Sequence, residues 1–108
     1  MTAFSNPRGP MTDATFDVQH EEGPGGGRYV IALPGGAVAE LEYHRGAGGE
    51  MIITHTGVPP EFEGRGIAAN LLDAAIAAAR AGGFKIRPLC SYAAARFRRH
   101  PEWNDLLA

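Results

Sequence analysis

The sequence contains a single cysteine, Cys90. One thiol forms no disulfide within the chain, so a secreted scaffold stapled by disulfides is excluded. It also lacks any long run of one charge, and Lys plus Arg number 10 against 12 Asp plus Glu, a net charge of −2. A dedicated nucleic-acid binder shows a basic patch or a high pI, so nucleic acid is not expected as a partner. Apolar stretches are broken by Gly, Arg or Asp well short of the ~18 residues that a membrane span needs. The opening MTAFSNPRGPMTDATFD has no apolar core of the kind a signal peptide carries. A cytoplasmic protein that meets no membrane is therefore expected. Met11 offers an alternative start.

What remains is ordinary globular material. Apolar residues make up 44% of the chain and charged residues 20%, a balance that suits a packed core. A length of 108 residues fits one domain, able to bury a core without a disulfide or a structural metal. No metal is assigned. The expected state is a monomer or a small homo-oligomer.

Residues 1–13 hold Pro7, Gly9 and Pro10 without periodicity and read as a disordered tail before a domain at 14–108. Residues 15–20 alternate weakly, with Phe16 and Val18 on one side, as an edge strand does. Residues 21–27 read as a Gly/Pro loop. Residues 28–33 are rich in β-formers. Pro34-Gly35-Gly36 is a tight turn, and 37–43 alternates Val38/Glu40/Glu42 against Ala39/Leu41/Tyr43. Together these predict a β-hairpin. A Gly-rich turn at 46–49 leads to a strand at 51–56, which Pro59-Pro60 stops.

Over residues 64–81 the period changes. Ile67, Leu71, Ala74, Ala75 and Ala78 fall at helical spacing, and Ala is the best helix former. Gly82-Gly83 ends this helix. A short strand at 84–89 and a helix from Ser91 or Tyr92 to His100 follow. Residues 101–108 read as a turn and tail, with Trp103 and Phe97 as core residues or as docking residues for the tail. The order β-β-β-β-α-β-α predicts an α+β fold of two or three layers. An antiparallel meander feeds a right-handed β-α-β crossover whose last strand lies parallel to the fourth.

The informative segment is the strand, loop and helix start around Gly64-Arg65-Gly66. The first turn of a helix has free N–H groups, and its dipole favours negative charge. Glycines there let a phosphate approach the backbone. Arg65 adds positive charge, whereas Glu61 and Glu63 oppose an anion unless they point away. A P-loop is excluded, because no Gly-x-x-x-x-Gly-Lys-Ser/Thr is present. Gly64 to Ala69 matches the loose dinucleotide pattern, but 59–63 separates it from the preceding strand and no acidic residue ends the next one. A glycine-rich helix start is also how an ordinary turn enters a helix.

The frame 61–66 resembles the pyrophosphate loop of the GNAT superfamily of acyl-CoA N-acyltransferases, Gln/Arg-x-x-Gly-x-Gly/Ala, with Glu61 in the first place. More specifically, the chain resembles the short GNAT-like family that lacks the first helices of the full fold. Four pieces carry the resemblance: His55-Thr56-Gly57-Val58-Pro59-Pro60, Gly64-Arg65-Gly66-Ile67-Ala68, Pro88-Leu89-Cys90-Ser91-Tyr92 and Arg99-His100-Pro101-Glu102-Trp103. Gly57 stands where that family often has an acidic residue.

The resemblance implies a GNAT-like fold and an acetyl-CoA-dependent N-acetyltransferase acting on an amine, a protein lysine or a small polyamine. It implies that main chain from Ile53 to Val58 binds the pantetheine of acetyl-CoA. It assigns the pyrophosphate to the N–H groups of Gly64, Arg65, Gly66, Ile67 and Ala68, and puts Tyr92 and Arg96 at the cofactor. Cys90 is placed at the acetyl group, as a nucleophile or as a residue that lines the site. His55 is the candidate general base or the group that orients the cysteine, with a half-buried structural histidine as its other reading. His100 is expected to cap the last helix. Two alternatives stay open: a non-catalytic acyl-CoA-binding or sensing module on the same fold, and a structural interaction domain without a nucleotide site.

Overall fold

The computed structural model describes residues 16–108, so the tail expected over 1–13 lies outside the described residues. Five strands and two helices follow in chain order: β1 (Gln19–Gly23), β2 (Gly26–Ala32), β3 (Val38–Arg45), β4 (Met51–Gly57), α1 (Ile67–Gly82), β5 (Ile86–Pro88) and α2 (Ser91–Arg99). Short 3-10 turns occupy Pro34–Gly36, Pro60–Phe62 and Pro101–Leu106. The sheet runs β1-β2-β3-β4-β5, antiparallel up to β4, with β5 parallel to β4. The meander and crossover expected from the sequence are both present.

The alternation read along 37–43 is the alternation of burial. Ala39, Leu41 and Tyr43 are buried, and Val38, Glu40 and Glu42 face away. They join Tyr29, Ile31, Met51, Ile53 and Ile86 on one face of the sheet. On α1 the buried stripe is Ile67, Leu71, Leu72, Ala75, Ile76 and Ala79, and α2 adds Ala93 and Phe97 to the same core. Each large aliphatic side chain so buried contributes roughly 1.5–3 kcal/mol before entropy is counted. Gly83, at φ +71°, closes α1 and donates its N–H to the Ala79 carbonyl. Both helices cover one face, so the fold is a two-layer sandwich. Arg28, Glu40, Glu42, His44 and His55 lie on the other face, where no helix of the described residues packs.

Two segments differ from the sequence reading. The edge strand begins at Gln19, and Glu21–Gly23 and Gly26–Gly27 belong to paired strands, leaving only Pro24 and Gly25 as the turn. Glycine signals a loop by composition, but here it serves close approach. A Cβ at Gly27 would collide with the Glu21 carbonyl and the Tyr43 hydroxyl. The second difference is at the C-terminus, where Trp103 and Phe97 pack as expected but the residues read as a tail pair with β5. Trp103 and Leu106 are buried, Leu107 bridges Ile86, and Ala108 donates to the Ile86 carbonyl (2.9 Å). Arg80 ties the turn to α1 through Asp105 (2.9 Å). Trp103 packs edge-on against Phe97 and stacks on His100, at ring separations of 5.2 and 4.2 Å.

One irregularity decides which side chains of β4 face the core. The register of β3 and β4 shifts between Glu42 and Tyr43: Glu42 faces His55, Tyr43 faces Ile53, and Thr54 is left as the extra residue of a β-bulge. The side-chain alternation is reset there. Beyond the bulge, Thr56 opposite Leu41 is on the core side, and His55 opposite Glu42 is on the uncovered side.

Candidate functional site

The strands β4 and β5 pair only through Met51–Ile86, Ile52–Arg87 and Ile53–Pro88. Pro88 has no N–H to continue the ladder. The N–H groups of Leu89 and Cys90 both reach the Ile53 carbonyl, at 3.0 and 3.1 Å, and the chain turns into α2. From Thr54 to Gly57, β4 therefore has no strand beside it on that edge. On its other flank, Pro59 and Pro60 stop the strand and start a 3-10 turn. Gly64 and Gly66 then take φ of +82° and +81°, a region that costs glycine nothing, and Ile67 opens α1.

These turns leave a cleft of about 500 Å³. Its walls are Thr56 and Val58 at the end of β4, Phe62, Glu63, Gly64 and Gly66 in the loop, Ile67, Ala68 and Ala69 on the first turn of α1, and Tyr92 and Arg96 on α2. No side chain caps α1 at this end; the Asn70 amide donates instead to the Gly66 carbonyl (2.8 Å). The first-turn N–H groups thus face the cleft without a side-chain acceptor, and the helix dipole adds positive potential. The guanidinium of Arg96 brings a full charge, and its Nε is buried with no hydrogen-bond partner. Burial raises the Tyr92 hydroxyl above the usual tyrosine value, with Arg96 acting the other way, so the phenol keeps its proton at neutral pH. A phosphate-bearing ligand with an extended polar arm fits these walls.

Behind one of the walls, Thr56, and not itself a wall, sits Cys90. It is the N-cap of α2, half-buried, and its Sγ accepts from the Ala93 N–H at 3.3 Å. The hydroxyl of Thr56 lies 3.4 Å from the same sulfur. A somewhat larger hollow, about 570 Å³, lies around the β1–β2 turn, but it is shallower, and no helix start faces it.

Of the residues expected from the sequence, the cleft brings together Val58, Gly64, Gly66, Ile67, Ala68, Tyr92 and Arg96, with Cys90 beside them. Ile53 is fully buried, and its carbonyl is taken by two N–H groups. Arg65 lies outside the walls, its guanidinium 5.3 Å above the Phe62 ring. His55 is not brought to Cys90. It is exposed on the uncovered face, with Nε2 3.8 Å from Glu40 Oε2. His100 is the C-cap residue of α2, as read. The side chains of Thr56, Phe62, Glu63 and Ala69 also line the cleft, and no pattern in the sequence marks those side chains as cofactor contacts. Among the described residues no group of three or more His, Cys, Asp or Glu side chains is placed to hold a metal ion, and no helix is long and apolar enough to cross a membrane.

Residues 28–106 match a sequence family described as GCN5-related N-acetyl-transferase. The fold is similar to the NMR solution structure of a GCN5-like candidate N-acetyltransferase from Staphylococcus aureus, with a TM-score of 0.66 and 27% identity over 88% of this chain and 90% of that one. No curated protein matches the sequence.

Proposed function

The chain belongs to the GCN5-related N-acetyltransferase family, and on that premise we propose that it moves the acetyl group of acetyl-CoA to a primary amine on a protein lysine or a polyamine. The observation that carries the reading is the cleft itself: a glycine-led helix start and Arg96 line the same space at the open edge of β4. Acetyl-CoA, when bound, supplies an activated acyl carbon and a thiolate leaving group.

The residues divide the work. N–H groups at Ile67, Ala68 and Ala69 hold the pyrophosphate, with Arg96 beside them. The free edge of β4 from Thr54 to Val58 offers main-chain hydrogen bonds to the pantetheine, as an added strand would. Cys90 stands at the acetyl group. His55, on the uncovered face, meets an amine that arrives from that side and takes its proton. Tyr92 retains its own proton and serves as a donor in the cleft. The amine nitrogen attacks the thioester carbon, the C–S bond breaks, and CoA leaves as the thiolate, which takes a proton from water while His55 returns the amine's proton to solvent.

The test is a calorimetric titration of acetyl-CoA into the parent protein, Gly66→Asp and Gly66→Asn. Both variants place a side chain at φ +81° with open space around the new Cβ, and only the first adds negative charge. Saturable binding to the parent that is abolished by Asp and weakened less by Asn supports the pyrophosphate site. Loss of acetyl-CoA in the presence of spermidine or a lysine-containing peptide, followed by chromatography, then reports transfer. A parent that binds no acetyl-CoA sinks the proposal.

A further inference from the structure

We propose that Thr56, a wall of the cleft, is the positioning residue for Cys90, holding the sulfur beside the cleft and supporting it when it carries negative charge. The inference deepens the acetyltransferase reading and takes its functional meaning from it, but the geometry stands apart from that reading. Two groups meet the sulfur. The Ala93 N–H, at 3.3 Å, can only donate. The Thr56 hydroxyl, at 3.4 Å, can either accept from S–H or donate to sulfur. It can therefore stay with Cys90 through the loss of a proton by turning its own O–H, with no movement of either backbone.

That hydroxyl is at the sulfur because of the bulge at Thr54. Without the extra residue, β4 would present His55 to the core side and Thr56 to the uncovered face. With it, Thr56 stands opposite Leu41 and lines the cleft, and the imidazole is carried away to Glu40. The residue that accompanies Cys90 is thus a hydroxyl without charge of its own. A charged sulfur then has two donors, Ala93 N–H and Thr56 O–H, in the manner of an anion hole. Hydrogen bonds to a charged acceptor are roughly twice as strong as neutral ones. Removing the hydroxyl therefore penalises the reactive form of the sulfur more than its resting form.

The test uses the full chain and the rate of Cys90 alkylation by iodoacetamide, unambiguous because the chain has one cysteine. Thr56→Val keeps the branched shape that β4 packs, and Thr56→Ser keeps the hydroxyl. At one fixed pH, Val is expected to slow alkylation about tenfold, the scale of one hydrogen bond to a charged group. Ser is expected to restore the rate to within about twofold. Circular dichroism on each variant confirms that the fold is kept. A Val variant that reacts at the parent rate, or a Ser variant as slow as Val, overturns the proposal. Adding acetyl-CoA separates the two claims. Protection of Cys90 in the parent supports the ligand reading, whereas absence of protection removes that reading and leaves the comparison of the three alkylation rates to decide the role of Thr56.

Discussion

His55 Nε2 lies 3.8 Å from Glu40 Oε2, on the face of the sheet opposite to the one from which the next residue, Thr56, meets the sulfur of Cys90. The two chemistries of β4 are thereby split by one peptide unit. Whatever His55 does, it does from the uncovered side.

A substitution there should separate chemistry from binding. His55→Gln is expected to lower turnover by roughly a hundredfold, the low end of what a positioned base contributes. Acetyl-CoA affinity and the alkylation rate of Cys90 should both stay within about twofold, as for a surface change remote from either group. Turnover, calorimetry and alkylation on the same preparation check this. A fall in alkylation as large as that of Thr56→Val would return the imidazole to the sulfur.

The bulge also explains which parts of the site were legible in the sequence. Period-two alternation places Met51, Ile53 and His55 on one face, and the chemistry of imidazole makes His55 the natural partner for a thiol. No residue type announces the insertion of Thr54, because a bulge is fixed by how β3 and β4 pair and not by either strand alone. The hairpin, α1 and α2 were readable because their patterns are local: strict alternation over 37–43, an alanine-rich stripe closed by Gly82-Gly83, and Pro101 after the last helix. The glycine-led entry to α1 was readable for the same reason. The C-terminal turn was legible only in part: Trp103 and Phe97 read as core or docking residues, whereas the bridge of Leu107 to Ile86 arises only where the fold brings them together. Glycine misled at 26–27, where it fills a strand that tolerates no side chain.

The tyrosines give a prediction about alkaline pH. Burial pushes the Tyr43 hydroxyl up to about 12, from 10.0, with Glu22 adding to the effect. Burial also raises Tyr29 and Tyr92, so all 3 tyrosines of the chain titrate above the ordinary value in the folded protein. A group whose folded value exceeds its unfolded one binds more protons when folded, between the two values. Its contribution to stability is then fully present below pH 10 and is lost as pH climbs towards 12. Phenolate absorbance should therefore appear at higher pH in the native protein than in urea, and the urea midpoint should fall as pH rises above about 10. Coincident native and denatured titrations would contradict the burial of these rings.

The last prediction concerns two carboxylates that the sequence left unresolved. Both Glu61 and Glu63 precede the glycine turn, and either would oppose a phosphate if it faced one. The structure separates them. Glu63 is a wall of the cleft beside Gly64 and Gly66, whereas Glu61 is not. Two unit charges about 4 Å apart in a wet site interact by about 1 kcal/mol or somewhat more. Neutralising the wall residue should thus strengthen the binding of a pyrophosphate severalfold. Glu63→Gln is expected to tighten acetyl-CoA binding about fivefold at low salt, and the gain should shrink as ionic strength rises and the Debye length falls below about 10 Å. Glu61→Gln should leave the affinity within about twofold at every salt concentration. The contrast between neighbouring glutamates controls for net charge, since both variants remove the same unit. Calorimetric titrations of acetyl-CoA at low and high salt read it directly. Equal effects from the two variants would mean that only the overall field of the protein is felt, and that the phosphates do not sit at the start of α1.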